Sequence, residues 1–161
     1  MEKINRFILE YGNQLHKGHI QRAYKGIMTF MSNLSIYLVN SHREFSVSAL
    51  YPGYMDMTYF AFTPPDLKIK NLKIAIVYLH EQNRFEAWLS GSNRKIQAEY
   101  IKLLSYKDTK EYKLSQVLPG VDSIIESTLV DQPDFDNSEE LKKLIDLKIV
   151  EFTNDMRSLL A

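Results

Sequence analysis

Residues 72–95 read LKIAIVYLHEQNRFEAWLSGSNRK, and this stretch decides the fold. Leu72–Leu79 is apolar at nearly every position, the pattern of a central strand covered on both faces. Glu81-Gln82-Asn83 is a polar turn. After it, Phe85, Ala87 and Leu89 alternate with Glu86, Trp88 and Ser90. A period of two places the first set against a core and the second on the opposite face. The turn is short, so the two strands pair antiparallel. Gly91 then breaks the strand. Ser92 or Asn93 can cap a helix over Arg94–Leu104, with Ile96, Tyr100, Leu103 and Leu104 inward.

The same alternation extends upstream. Phe45–Tyr51 alternates, Pro52-Gly53 forms a strong turn, and the aromatic-rich run Tyr54–Phe62 reads as a second strand. Pro64-Pro65-Asp66 ends that strand and can start one helical turn. Before residue 41 the period is near 3.6. Ile4, Phe7, Ile8, Tyr11 and Leu15 share one face of a helix that stops at Lys17-Gly18. A longer helix over residues 19–40 carries a wide stripe that includes Ile20, Ile27, Met31, Leu34 and Leu38. Gly12 and Gly26 sit inside these helices at a cost of about 0.8–1 kcal/mol each against Ala. Close approach of two backbones is the expected reason.

Downstream, residues 107–121 are polar and irregular, with a short edge strand expected at Tyr112–Leu118. Ser123–Val130 is another strand. Asp136-Asn137-Ser138-Glu139-Glu140 opens a last helix whose apolar face includes Leu141, Ile145, Ile149, Phe152 and Met156. These elements predict an α+β fold. It has an N-terminal helical hairpin, a mostly antiparallel sheet of four or five strands with helices on one face, and a long C-terminal helix. Residues 1–161 are expected to form a single globular domain.

Composition excludes several classes of function. Lys plus Arg and Asp plus Glu are each 20, so the formal net charge is zero. A protein that coats nucleic acid needs an excess of cations, so a nucleic-acid partner is not expected. No cysteine is present, which removes disulfides, thiolate chemistry and cysteine zinc sites. No stretch reaches the roughly 20 apolar residues of a membrane span. Charges scattered through the first residues do not form a secretory signal. A cytoplasmic location is the expectation.

The candidate surface lies on the outer side of the sheet. Glu86 and Trp88, the only tryptophan, face away from the helices on this reading. Asp56 and Thr58 are expected to join them, with Tyr54 in the same parity class. Aromatic rings among acids on a wet sheet face suggest a contact surface. The competing reading is that a loop or further strand covers Trp88 as plain core. Arg94 and Lys95 follow Gly91-Ser92-Asn93 at a helix start, where free N–H groups favour anions. Together Tyr54, Asp56, Glu86, Trp88, Arg94 and Lys95 form the candidate site, for a small anionic ligand or a protein partner. The bland alternative has both cations in water or paired with Glu86 or Glu99.

Other groupings are weaker. His16 and His19 fall across a helix boundary, and no carboxylate stands near them to complete a metal site. His80 and Glu81 point to opposite faces of a strand. The acids at 131, 134, 136, 139 and 140 lack the glycine and spacing of a calcium loop, and helix capping accounts for them. None of the nucleotide, hydrolase or metalloprotease motifs occurs. No cofactor, no metal and no catalytic residue is expected.

Two resemblances bear on function. The order of helices and strands is similar to the core of restriction-endonuclease-like nucleases, in which an Asp and a following Glu-x-Lys hold a metal. Asp56 would be the first acid, but the matching strand reads Glu86-Ala87-Trp88 without the lysine. Glu111-Tyr112-Lys113 has the pattern, after the helix instead. That likeness implies a degenerate domain touching nucleic acid without cutting it. Second, YPGYMDMTYFAFTP at 51–64 and LKIAIVYLHEQNRFEAWLSGSNRKIQ at 72–97 resemble a small bacterial family of single-domain proteins without an assigned activity. The second likeness implies a cytoplasmic bacterial protein. The leading expectation is a non-enzymatic binding or interaction module, compatible with homodimerisation. The alternatives are the nuclease-like domain, or an enzyme with an unfamiliar site built from Asp56, Glu86 and Arg94.

Overall fold

The structure is a computed structural model that describes residues 3–161. Its sheet runs β1 (Ser46–Val47), β2 (Met57–Thr63), β3 (Leu72–Leu79), β4 (Arg84–Gly91) and β5 (Ser123–Asp131). Spatial order equals chain order and every pair is antiparallel. A short polar turn joins β3 to β4, the connection antiparallel neighbours allow, while longer segments link the other neighbours of this meander. Asn83 closes the β3–β4 turn at φ 51°, a left-handed conformation that Asn tolerates. Tyr78 Oη donates to its side chain at 2.8 Å.

Helices α1 (Ile4–Lys17) and α2 (His19–Ser41) are joined through Gly18 alone, at φ 79°. The single turn α3 (Pro65–Lys68) follows β2. Helix α4 (Arg94–Leu104) joins β4 to the loop before β5, and α5 (Ser138–Leu160) closes the chain after a 3₁₀ turn at Phe135–Asn137. One contiguous core unites the sheet with the helices. Phe60, Phe62, Ile74, Ile76, Phe85 and Leu89 meet Met31, Leu34 and Leu38 of α2, Leu104 of α4, and Ile145, Ile149 and Met156 of α5. All these residues have essentially no accessible surface. The architecture is the expected α+β one, with a fifth strand and helices on one face.

Three details differ from the sequence reading. The strand expected from Phe45 shrinks to Ser46–Val47, and Tyr51 keeps only an isolated bridge to Tyr59. The edge strand expected at 112–118 reduces to a bridge between Leu114 and Ile125. A Cβ built at Gly12 or Gly26 meets nothing within 4 Å, so no close backbone approach inside the chain explains either glycine. Gly91 does have that reason. A Cβ there would stand 2.7 Å from Gln97 N, where β4 runs into α4.

Candidate functional site: the outer face of the sheet

Pairing register assigns the faces. Ala61 pairs with Ala75, Ala75 with Trp88, and Trp88 with Glu126. Directly opposed residues share a face, so this row crosses the sheet on one side. Ile74, Ile76, Phe85, Ala87 and Leu89 belong to the core beneath the helices. Trp88 therefore stands on the other side, and it is half-buried there. Ala61 and Ala75 in its row are small, which leaves room beside the indole.

The indole is fixed by its strand neighbour. Trp88 Nε1 donates to Glu86 Oε1 at 2.8 Å. The other carboxylate oxygen of Glu86 accepts from Arg84 Nε at 2.8 Å, with Arg84 Nη2 at the same distance. Residues two apart on a strand share a face, so this trio is a local product of the sequence RFEAW. Glu86 is only 6% exposed, and its charge is tolerable there because both oxygens are used. Its role is to orient Trp88, and it offers no free carboxylate to a ligand.

A hollow of about 360 Å³ opens beside the indole. Strand β3 lies between β2 and β4, so Ala75 and Val77 form the floor. Trp88 is one wall. Tyr59 and Tyr51, whose rings meet tilted by 38° with centroids 4.9 Å apart, form the other. At one end stand Ser90, the Gly91–Asn93 turn and Arg94, and Lys73 also lines the hollow. Lys73 is exposed and forms no ion pair or side-chain hydrogen bond with the other described residues.

Arg94 has partners. Its Nη1 donates to the carbonyl oxygens of Leu118, at 3.1 Å, and Val121, and to Gln97 Oε1 at 3.3 Å. Nη2 pairs with Asp122 at 3.1 Å. Buried Gln97 donates to the carbonyls of Val121 and Ser123 at 2.9 and 3.0 Å. Asn93 caps the helix by accepting from Ile96 N at 2.9 Å. A cation at this helix start is thus offset by loop carbonyls and an aspartate. Arg94 straps the 118–122 loop to α4 and turns only part of its charge toward the hollow. Neither Glu86 nor Glu99 is its partner. Lys95 is exposed and does not line the hollow.

Thr58 and Asp56 require a correction. Thr58 pairs with Tyr78, a core residue, so Thr58, Phe60 and Phe62 face the helices. Met57, Tyr59 and Ala61 take the outer face instead. Both parity classes of this run contain aromatic rings, so alternation alone could not choose between them. Asp56 precedes β2 and lies on the Thr58 side. Its Oδ1 accepts from Tyr54 N at 2.9 Å, and that backbone N–H holds its carboxyl below the usual range. Tyr54 is 88% exposed and away from the hollow. Asp56, Glu86 and Arg94 are therefore not gathered into one acid–base site. The Asp56–Glu86 metal pair that a nuclease likeness would need is likewise not assembled.

On that inner side His80 Nε2 lies 2.8 Å from Thr58 Oγ1. The hydroxyl proton goes to the Pro52 carbonyl at 2.7 Å, so the ring nitrogen must donate. Burial pushes the His80 pKa down, and the Asp56 charge opposes that shift. His80 is a structural clasp between β2 and the β3–β4 turn.

The match to one family model spans residues 4–160, described as a domain of unknown function, DUF7000. The chain belongs to the DUF7000 family. No curated protein and no solved structure matches it. In this family member the sequence signals for the hollow were partial. Trp88 and Arg94 were identified, whereas Lys73, Tyr51, Tyr59 and Ser90 were missed. Lys73 had a legible signal, as the one charge in an otherwise apolar strand.

Proposed function

We propose that this DUF7000 chain is a non-enzymatic, single-domain module that binds a small ring-bearing anion in the hollow beside Trp88. One observation carries the reading: an aromatic-walled hollow with a small-residue floor and, at its edge, a lysine with no partner among the described residues. Its volume falls within the about 300–1,000 Å³ of small-molecule sites. A flat ring fits between Trp88 and the tyrosine pair, where stacking contributes about 0.5–1.5 kcal/mol beyond area burial. Lys73 supplies the charge for a carboxylate or phosphate. No group in the hollow is matched as nucleophile and base, which supports binding over catalysis.

The likeness to a small bacterial family supports a bacterial, cytoplasmic setting. No described helix is long and apolar enough to cross a membrane. Because Trp88 is the only tryptophan, its emission reports the hollow directly. Titration with a panel of mononucleotides and aromatic carboxylates should give a saturable change with at least one member. Lys73→Ala should weaken that response about tenfold, the loss of roughly 1.4 kcal/mol. A flat response across the panel, or one indifferent to Lys73, contradicts the proposal.

A further inference from the structure

Helix α1 is amphipathic, yet none of its residues is buried. Ile4, Phe7, Ile8 and Tyr11 form its apolar stripe, and each is more than half exposed. A lone exposed apolar residue is ordinary, but a contiguous stripe of large ones marks a contact surface. The Gly18 link is bonded on both sides. Gly18 N donates to Leu15 O, Arg22 N to Gly18 O, and Gln21 Nε2 to Leu15 O. Helix α1 is held in this conformation with its stripe toward solvent.

The same chain carries an unfilled groove of about 970 Å³. Ala23, Gly26, Ile27 and Phe30 of α2 line it, with Tyr78 and Phe135 across from them. Gly26 is open to solvent and has free space above its Cα. A floor of small residues lets another helix approach closely. Gly12, equally open, lies on the helix that needs a groove.

Area fits a second copy as the occupant. The chain exposes 10175 Å². A compact monomer of 18.8 kDa exposes about 8,300 Å², so the excess is roughly 1,900 Å². Two copies that each hide this excess bury roughly 3,800 Å², within the about 2,000–5,000 Å² of obligate homodimers. Charge agrees with self-association. The formal net charge is zero, so copies do not repel. Helix α1 carries Arg6 as well as Glu10, and the groove rim carries Arg22 and Lys25 together with Asp136 and Glu139, so each surface offers charges of both signs.

We infer that α1 of one chain seats in the α2 groove of a second copy, and reciprocally. The exchange is isologous: one two-fold operation satisfies both stripes and both grooves. It uses a face separate from the Trp88 hollow and stands independently of the ligand proposal.

The wild-type native mass at micromolar concentration should be twice 18.8 kDa. Phe7→Glu, at an exposed position, should give a monomer with unchanged helical circular dichroism. Gly26→Leu should do the same, because its side chain enters the groove and not the core. The chain has no cysteine, which allows a second test. Tyr11→Cys and Gly26→Cys, placed in separate chains and mixed, should join into a heterodimer with a short thiol cross-linker. A monomeric wild type, a dimer indifferent to Phe7→Glu, or cross-linking only within one doubly substituted chain overturns the inference.

Discussion

The two faces of the β3–β4 hairpin are both shielded from water, by opposite chemistry. On the helix side Ile74, Ile76, Phe85, Ala87 and Leu89 have no accessible surface and belong to the apolar core. On the outer side, with no helix over it, the hairpin covers itself. Arg84 and Trp88 hold Glu86 by its two oxygens, and the indole stands over Ala75. The first arrangement is non-directional and stabilises in proportion to area. The second is directional and stabilises little in net terms, because desolvation offsets most of the attraction. The comparison teaches where the fold's stability resides and where a ligand can act without unfolding the protein.

Substitutions on the two faces should therefore differ in kind. The largest effect is expected from Phe85→Ala on the helix side. It should lower unfolding free energy in urea by about 3–5 kcal/mol, through lost transfer energy and the cavity left behind. On the outer side Glu86→Ala should cost about 1–3 kcal/mol, since it leaves Arg84 and the indole N–H without their acceptor. Unlike the first change, it should also shift Trp88 emission. If Glu86→Ala costs as much as Phe85→Ala, the contrast between the faces fails.

A pH series sharpens the comparison at the hairpin's turn. His80 is neutral by burial on the helix side, with its pKa below the ordinary value of about 6.5. Between its folded pKa and that value the unfolded chain binds more protons. Stability should therefore fall as pH drops from about 6.5 toward the folded pKa, and level off below both. His80→Gln should flatten this part of the urea-midpoint profile. An unchanged slope would assign the proton uptake elsewhere.

The smallest global effect is expected from Arg94→Ala, within about 1 kcal/mol, because the guanidinium and its ion-pair partner Asp122 are both solvent-exposed. The local effect should be larger. Amide exchange at residues 118–122 should accelerate while β3 and β4 stay protected. Uniform acceleration across the sheet would contradict the role given to Arg94.

How far the sequence was legible follows the same division. The apolar run of β3, the alternation of β4 and the helical stripes of α2 and α5 identify themselves, because burial imposes their period. The face of β2 did not, since Tyr59 on one parity and Phe60 and Phe62 on the other are equally apolar. Pairing register with β3 settled it, and register is not written in composition. The α1 stripe was legible as a stripe, but spacing cannot say whether a stripe is filled within its own chain. In the site, Trp88 stood out by rarity. Lys73 was legible as the one charge in an apolar strand, but the tyrosine pair acquires meaning only when strand order brings β2 and the loop before it beside β3. The loop partners of Arg94, at Leu118, Val121 and Asp122, lie 24–28 residues downstream, beyond any local signal.

The central claim is that the lone indole stands on the helix-free face, reachable by an anion through Lys73. Iodide quenching of Trp88 emission, measured beside the neutral quencher acrylamide, tests it most directly. Wild type should be quenched by both, and Lys73→Glu should lose iodide quenching while keeping acrylamide quenching. A blue-shifted emission that neither agent quenches, or an iodide response unchanged by Lys73→Glu, would contradict the account.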